Sequence, residues 1–138
     1  MSTLFSRIFG KKNPRPEEPV DDRRIDVNAQ TLGKDLEINP SEVAQLLKQG
    51  TIRLLDVRTP QEYEIAHVEG STLTDQSLAQ EIVATWPKDT EIVTMCHHGM
   101  RSLDAAAYLR GHGFNNTRSM RGGIEAWSNT VDPTIPRY

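Results

Sequence analysis

Seven consecutive residues, Cys96-His97-His98-Gly99-Met100-Arg101-Ser102, bring together a nucleophile, a flexible joint and cationic side chains. The reactive form of a thiol is the thiolate, and a free cysteine has a pKa near ~8.5. An apolar run precedes Cys96, and a helix-like pattern follows Ser102. A strand that runs into a loop and then a helix presents unpaired N–H groups and partial positive charge at the helix start. If the loop curls around Cys96, those N–H groups form a nest that holds an anion. Gly99 permits the backbone angles such a curl requires. Arg101 adds a permanent positive charge at the rim, and His97 and His98 add titratable ones. Many free cysteines are inert buried hydrophobes, but polar, cationic and flexible neighbours do not suit an inert core position.

Cys96 is the only cysteine of the 138 residues, so no intramolecular disulfide forms. A lone free thiol points to a reducing compartment, and the cytoplasm is the expected location. A zinc site built of cysteines is excluded. Of His67, His97, His98 and His112 only the middle two are close in sequence, and adjacent histidines rarely hold one ion together. No metal and no cofactor are therefore expected. The formal net charge of −3 argues against a nucleic-acid partner.

The elements that must position this loop follow from pattern. Residues 11–24 contain three prolines and four acidic residues interleaved with basic ones. Such a segment buries too little to order itself, and 1–24 reads as a flexible tail and linker. Leu4, Phe5, Ile8 and Phe9 are interrupted by Ser6 and Arg7, which makes a poor signal peptide. A frayed tail is the favoured reading, with a short amphipathic docking turn as the alternative. No apolar run reaches the ~20 residues of a membrane span, so no stable membrane insertion is expected. Residues 25–37 form a lead-in of uncertain order, and 38–138 form the domain.

Asn39-Pro40-Ser41-Glu42 opens a helix, with Asn39 as the capping side chain and Pro40 at the first helical position. Val43, Leu46 and Leu47 share one face, and Gly50 ends the helix. The run 52–57 suits a buried strand, and Thr59-Pro60-Gln61-Glu62 opens a second, short helix. A helix over 78–86 faces inward through Leu78, Ile82 and Val83. The strand 91–95, a helix over 102–112 capped by Gly113, a strand over 117–120 and a helix over 124–128 complete the chain. Alternating strands and helices predict an α/β fold: a central, mainly parallel sheet with helices on both faces. In such folds ligands sit beyond the carboxyl ends of the strands, where Cys96 lies.

Several motifs in order make the sequence similar to the rhodanese family. Leu54-Leu55-Asp56-Val57-Arg58 with Glu62-Tyr63 resembles the family's strand and following turn. Ala66-His67-Val68-Glu69-Gly70-Ser71 resembles its GHIxGA segment, departing at Ala66 and Ser71. Residues 96–102 match the CxxGxRS active loop, and Gly122-Gly123-Ile124-Glu125-Ala126-Trp127 matches GGxxAW. The ending 131–138 resembles the tail of rhodanese domains fused to adenylating enzymes.

The resemblance implies a rhodanese-like fold and a sulfurtransferase. Cys96 would take sulfane sulfur from small anionic donors, thiosulfate or a persulfide, as a Cys96 persulfide. It would then pass that sulfur to cyanide or to a thiol or protein acceptor. Residues His97 to Ser102 would form the substrate loop. Asp56 and Arg58, at the end of a neighbouring strand, read chiefly as a structural ion pair or helix-start contact, for example Arg58 with Glu62. Their alternative role is to buttress the active loop. Two other functions compete. One is a sulfur-relay module that acts only on a docked partner. The other is a cysteine-dependent phosphatase, whose C-x5-R loop is one residue longer than the C-x4-R spacing here.

Overall fold

The computed structural model describes residues 36–138. The expected tail and linker, and all but the end of the lead-in, lie outside the described residues. The elements are β1 (Glu37–Ile38), α1 (Pro40–Gln49), β2 (Arg53–Asp56), α2 (Pro60–Ile65), β3 (Ser71–Leu73), α3 (Gln76–Thr85), β4 (Ile92–Met95), α4 (Met100–Gly111), β5 (Thr117–Met120) and α5 (Gly123–Thr130). The five strands form one sheet in the order β1-β5-β4-β2-β3, and every pairing is parallel.

Strand alternation divides the core in two. Leu55 and Ile92 face one side with Ala79, Ile82, Ala105, Leu109 and Phe114, beneath α3 and α4. Leu54 and Val93 face the other with Val43, Val68, Ile124 and Trp127, beneath α1 and α5. Strands covered on both faces carry consecutive apolar residues, as Leu54-Leu55 and Ile92-Val93 do. Leu54 and Leu55 are each 1% exposed, and burial of such a side chain contributes about 1.5–3 kcal/mol.

Local signals set most helix ends. Thr59 and Glu62 form a reciprocal capping box: Glu62 N–H donates to Thr59 Oγ1 at 3.2 Å, and Thr59 N–H to Glu62 Oε1 at 3.0 Å. Gly50 adopts the left-handed conformation that stops α1. Three expectations need correction. Helix α3 begins at Gln76 under the Asp75 cap rather than at Leu78. Asn39 occupies the cap position of α1, yet its side chain makes no capping hydrogen bond; Pro40 at the helix start holds the entry geometry without it. Helix α4 begins at Met100 rather than Ser102, so Met100, Arg101 and Ser102 form its first turn. Strands β1 and β3, two and three residues long, carry too little pattern to be read from sequence; both lie at the sheet edges. Among the described residues no helix is long and apolar enough to cross a membrane.

Candidate active site

β4 is flanked on both sides by other strands, and Cys96 follows its last residue. Gly99, the N-cap of α4, has φ +101° and no side chain to cap the helix. The sulfur of Cys96 takes that place. Gly99 N–H donates to Cys96 Sγ at 3.1 Å and Ser102 N–H at 3.4 Å. These are donors that a helix start leaves unpaired, which explains why α4 starts two residues early. Cys96 is 1% exposed, and its Sγ also lies 3.5 Å from Ser102 Oγ. Ser102 Oγ is 2.7 Å from Ser119 Oγ on β5, and Thr94 Oγ1 donates to the Ser102 carbonyl at 2.7 Å. The sulfur thus faces two amide hydrogens and the Ser102 hydroxyl at the positive end of a helix.

The loop is braced from α5. Ile124 N–H donates to the Cys96 carbonyl at 2.8 Å and Glu125 N–H to the His97 carbonyl at 3.2 Å. That approach is so close that a Cβ on Gly123 would overlap the carbonyl oxygens of both Cys96 and His97. The turn at Gly122-Gly123 therefore serves as the seat of the Cys96 loop.

The remaining expected site residues fall into three clusters. Asp56 and Arg58 form a buried pair, with Arg58 Nη2 donating to Asp56 Oδ2 at 2.6 Å and Nε to Oδ1 at 2.9 Å. Arg58 does not pair with the Glu62 carboxylate; it reaches only the Glu62 carbonyl, at 3.4 Å. Its other bonds go to the Ala66 carbonyl at 2.6 Å and Tyr138 Oη at 2.6 Å. Burial opposes the Arg58 charge, but the bonds to Asp56 and Tyr138 outweigh it and raise the pKa above its ordinary value.

Arg101 makes two parallel bonds to the Glu62 carboxylate, at 2.8 and 3.0 Å. Those bonds hold the Glu62 pKa down at about 2, against burial, with help from Thr59 and Tyr138. Tyr138 donates from its hydroxyl to Glu62 Oε2 at 3.0 Å and stacks on His97 with ring centroids 4.1 Å apart.

His97 in turn stacks on His98, and His98 Nε2 lies 2.9 Å from Glu125 Oε1. Burial, then the nearby His98, lowers the His97 pKa, so its ring is neutral at neutral pH. His97, His98 and Glu125 bring one potential metal-ligand atom each within 4.8 Å of one another. The two imidazoles are nearly parallel, 18° apart. An ion bonded to both nitrogens would lie out of both ring planes, so the group as placed is a histidine–carboxylate contact. Met100 is exposed on the loop's outer side. Glu62, Glu125 and Tyr138 were not recognised as site residues from sequence, although each stood in a quoted motif or in the tail.

A cavity of about 490 Å³ opens beside Arg101, walled by Val57, Pro60, Leu73 and Leu78 and by the polar Asp75 and Gln76. It lies where the carboxyl ends of β2 and β3 pass into their helices, as expected for an α/β ligand site.

The family model for the rhodanese-like domain matches residues 39–130. The chain belongs to the rhodanese-like family. A thiosulfate sulfurtransferase GlpE of Pseudomonas entomophila is 36% identical to this rhodanese-like chain over 93 residues, 67% of the chain and 84% of that protein. A probable adenylyltransferase/sulfurtransferase MoeZ of Mycobacterium tuberculosis is 34% identical over 114 residues, 80% of this chain and 29% of that one. Among solved structures, a rhodanese-related protein from Thermoplasma volcanium has a TM-score of 0.61 at 26% identity, covering 74% of this chain and 98% of its own. This rhodanese-like domain is a sulfurtransferase, an enzyme that moves sulfur from a donor to an acceptor.

Proposed function

We propose that Cys96 is the nucleophile and carries sulfane sulfur as a persulfide from thiosulfate or a persulfide donor to a thiol or cyanide. The supporting observation is the pair of backbone N–H groups, Gly99 and Ser102, directed at Cys96 Sγ. With thiosulfate, the Cys96 thiolate attacks the outer sulfur. A new S–S bond forms, the donor S–S bond breaks, and sulfite departs with the electron pair. The resulting Cys96–S–S⁻ gives its outer sulfur to cyanide as thiocyanate, or to a thiolate as a new persulfide, and the Cys96 thiolate is restored. This is covalent catalysis with an anionic intermediate, and the loop amides act on sulfur as an oxyanion hole acts on oxygen. A protein or low-molecular-weight thiol is the proposed cellular acceptor and the cytoplasm the proposed location, since a persulfide needs a thiol-reducing setting to turn over.

Intact mass spectrometry after thiosulfate treatment tests the reading. The chain is expected to gain one sulfur, about 32 Da, reversibly by reductant. The Cys96→Ser variant is expected to gain none. A gain that survives this substitution would remove Cys96 from the reaction.

A further inference from the structure

The rim of the Cys96 loop is rich in basic side chains in the sequence, yet in the fold each faces a carboxylate. Arg58 is paired with Asp56, Arg101 with both oxygens of Glu62, and His98 with Glu125. His97 lies 3.6 Å from the same Glu125. What remains directed at Cys96 Sγ is backbone N–H, which suits one negative charge on the sulfur. Among the described residues nothing at this rim matches the two charges of thiosulfate. Arg101 is the residue that would, because it precedes Ser102, whose amide faces the sulfur. A bidentate carboxylate is the strongest partner a guanidinium finds, and it holds the planar fork turned toward Glu62. The cavity beside Arg101 is consistent with this: Val57, Pro60, Leu73 and Leu78 give it apolar walls, Asp75 an acid, and its two arginines, Arg58 and Arg101, are each already paired with a carboxylate.

We propose that Glu62 is a specificity-determining residue: by occupying Arg101 it selects against the thiosulfate dianion and in favour of an organic persulfide whose R group enters the apolar cavity. This rests on the reading of Cys96 as the sulfur carrier. The step with a persulfide balances as Cys96–S⁻ plus R–S–SH giving Cys96–S–SH plus R–S⁻. The donor S–S bond breaks, the thiolate R–S⁻ leaves with the electron pair, and the proton stays on the transferred sulfur. The reacting pair then carries a single negative charge, which the amide ring accommodates without Arg101.

The experiment compares steady-state sulfur transfer to cyanide from thiosulfate and from a small alkyl persulfide generated in situ, using the full chain. Glu62→Gln frees Arg101, and KM for thiosulfate is expected to fall on the order of tenfold, with KM for the alkyl persulfide changing less than about twofold. The fall is expected to shrink with added salt, because it is a charge effect at a partly exposed site. Arg101→Gln leaves Glu62 uncovered and is expected to move the donor ratio the opposite way, which keeps the test decisive if either variant folds poorly. A donor ratio that stays put in both variants, or moves in the same direction in both, overturns the role of Glu62. The two readings fail separately. Absence of sulfur gain on wild-type Cys96 from either donor defeats the carrier assignment. Gain from both donors with an unmoved ratio defeats only the selectivity.

Discussion

Arg58 shows how much of this site is decided around one buried charge. The residue is 3% exposed, and its guanidinium is bonded to Asp56, Ala66 and Tyr138. Removing one partner of a buried pair leaves an uncompensated charge, which costs about 3–5 kcal/mol. Arg58→Met is therefore expected to lower the urea-unfolding free energy by about that amount. The double variant Asp56→Asn with Arg58→Met is expected to lose less than Arg58→Met alone, since no charge is stranded. Tyr138→Phe deletes a hydroxyl that accepts from Arg58 and donates to Glu62. Bonds to charged groups contribute about 1.5–3 kcal/mol each, and partial exposure places the expected loss at the lower end for the pair together. Urea titration reads it directly.

At the scale of elements, the loop after β4 and the start of α5 behave as one unit. Gly123 has φ +64° and sits against the Cys96 and His97 carbonyls. Gly123→Ala adds left-handed strain of about 1–2 kcal/mol and overpacking of about 1–3 kcal/mol. It is expected both to lower the melting temperature and to slow sulfur gain at Cys96, because the carbonyls that must move belong to the active loop. Gly111, near the end of α4, has open space where its Cβ would stand and no positive φ. Gly111→Ala is expected to be neutral or stabilising by up to about 1 kcal/mol, with unchanged sulfur transfer. The pair of variants separates a general helix effect from one transmitted to the loop. Helix ends carried by adjacent residues, such as Thr59 with Glu62 and Gly50 after α1, were legible in the sequence because capping is local. The early start of α4 was not, because its cap is a sulfur three residues before the N-cap position.

For the molecule as a whole, the network of Arg101, Glu62, Tyr138 and Arg58 ties α4, α2 and the carboxyl-terminal end of the chain together. It also contributes to the acid resistance of the fold. Glu62 titrates at about 2 in the folded chain, against 4.5 for an ordinary glutamate. Between those values the unfolded chain binds the extra proton, so stability rises with pH across this window. The contribution is complete above about 4.5 and is lost as pH falls toward 2. Urea midpoints measured from pH 7 to pH 2.5 are expected to fall less steeply over the lower part of that range in Glu62→Gln than in the wild-type chain. Equal slopes would show that Glu62 does not contribute to acid resistance.

What the sequence determined by itself was whatever lies close along the chain. The alternation of elements dictated an α/β sheet with both faces covered. The contiguous loop 96–102 pointed to Cys96, the proposed nucleophile, and to Gly99, the glycine that lets the backbone turn. Only the tertiary structure decided the state of the charges around it. Arg101 and Glu62 are 39 positions apart, His98 and Glu125 are 27 apart, and Arg58 and Tyr138 are 80 apart. Arg101 and Glu62 meet because parallel pairing sets the carboxyl ends of β2 and β4 side by side, with Asp56 opposite Met95. A strand pattern specifies which face of a residue is buried, but it does not specify the strand beside it. A cation's effective charge depends on its neighbours in space, and for that reason the chemistry of this rim became readable only once the chain was folded.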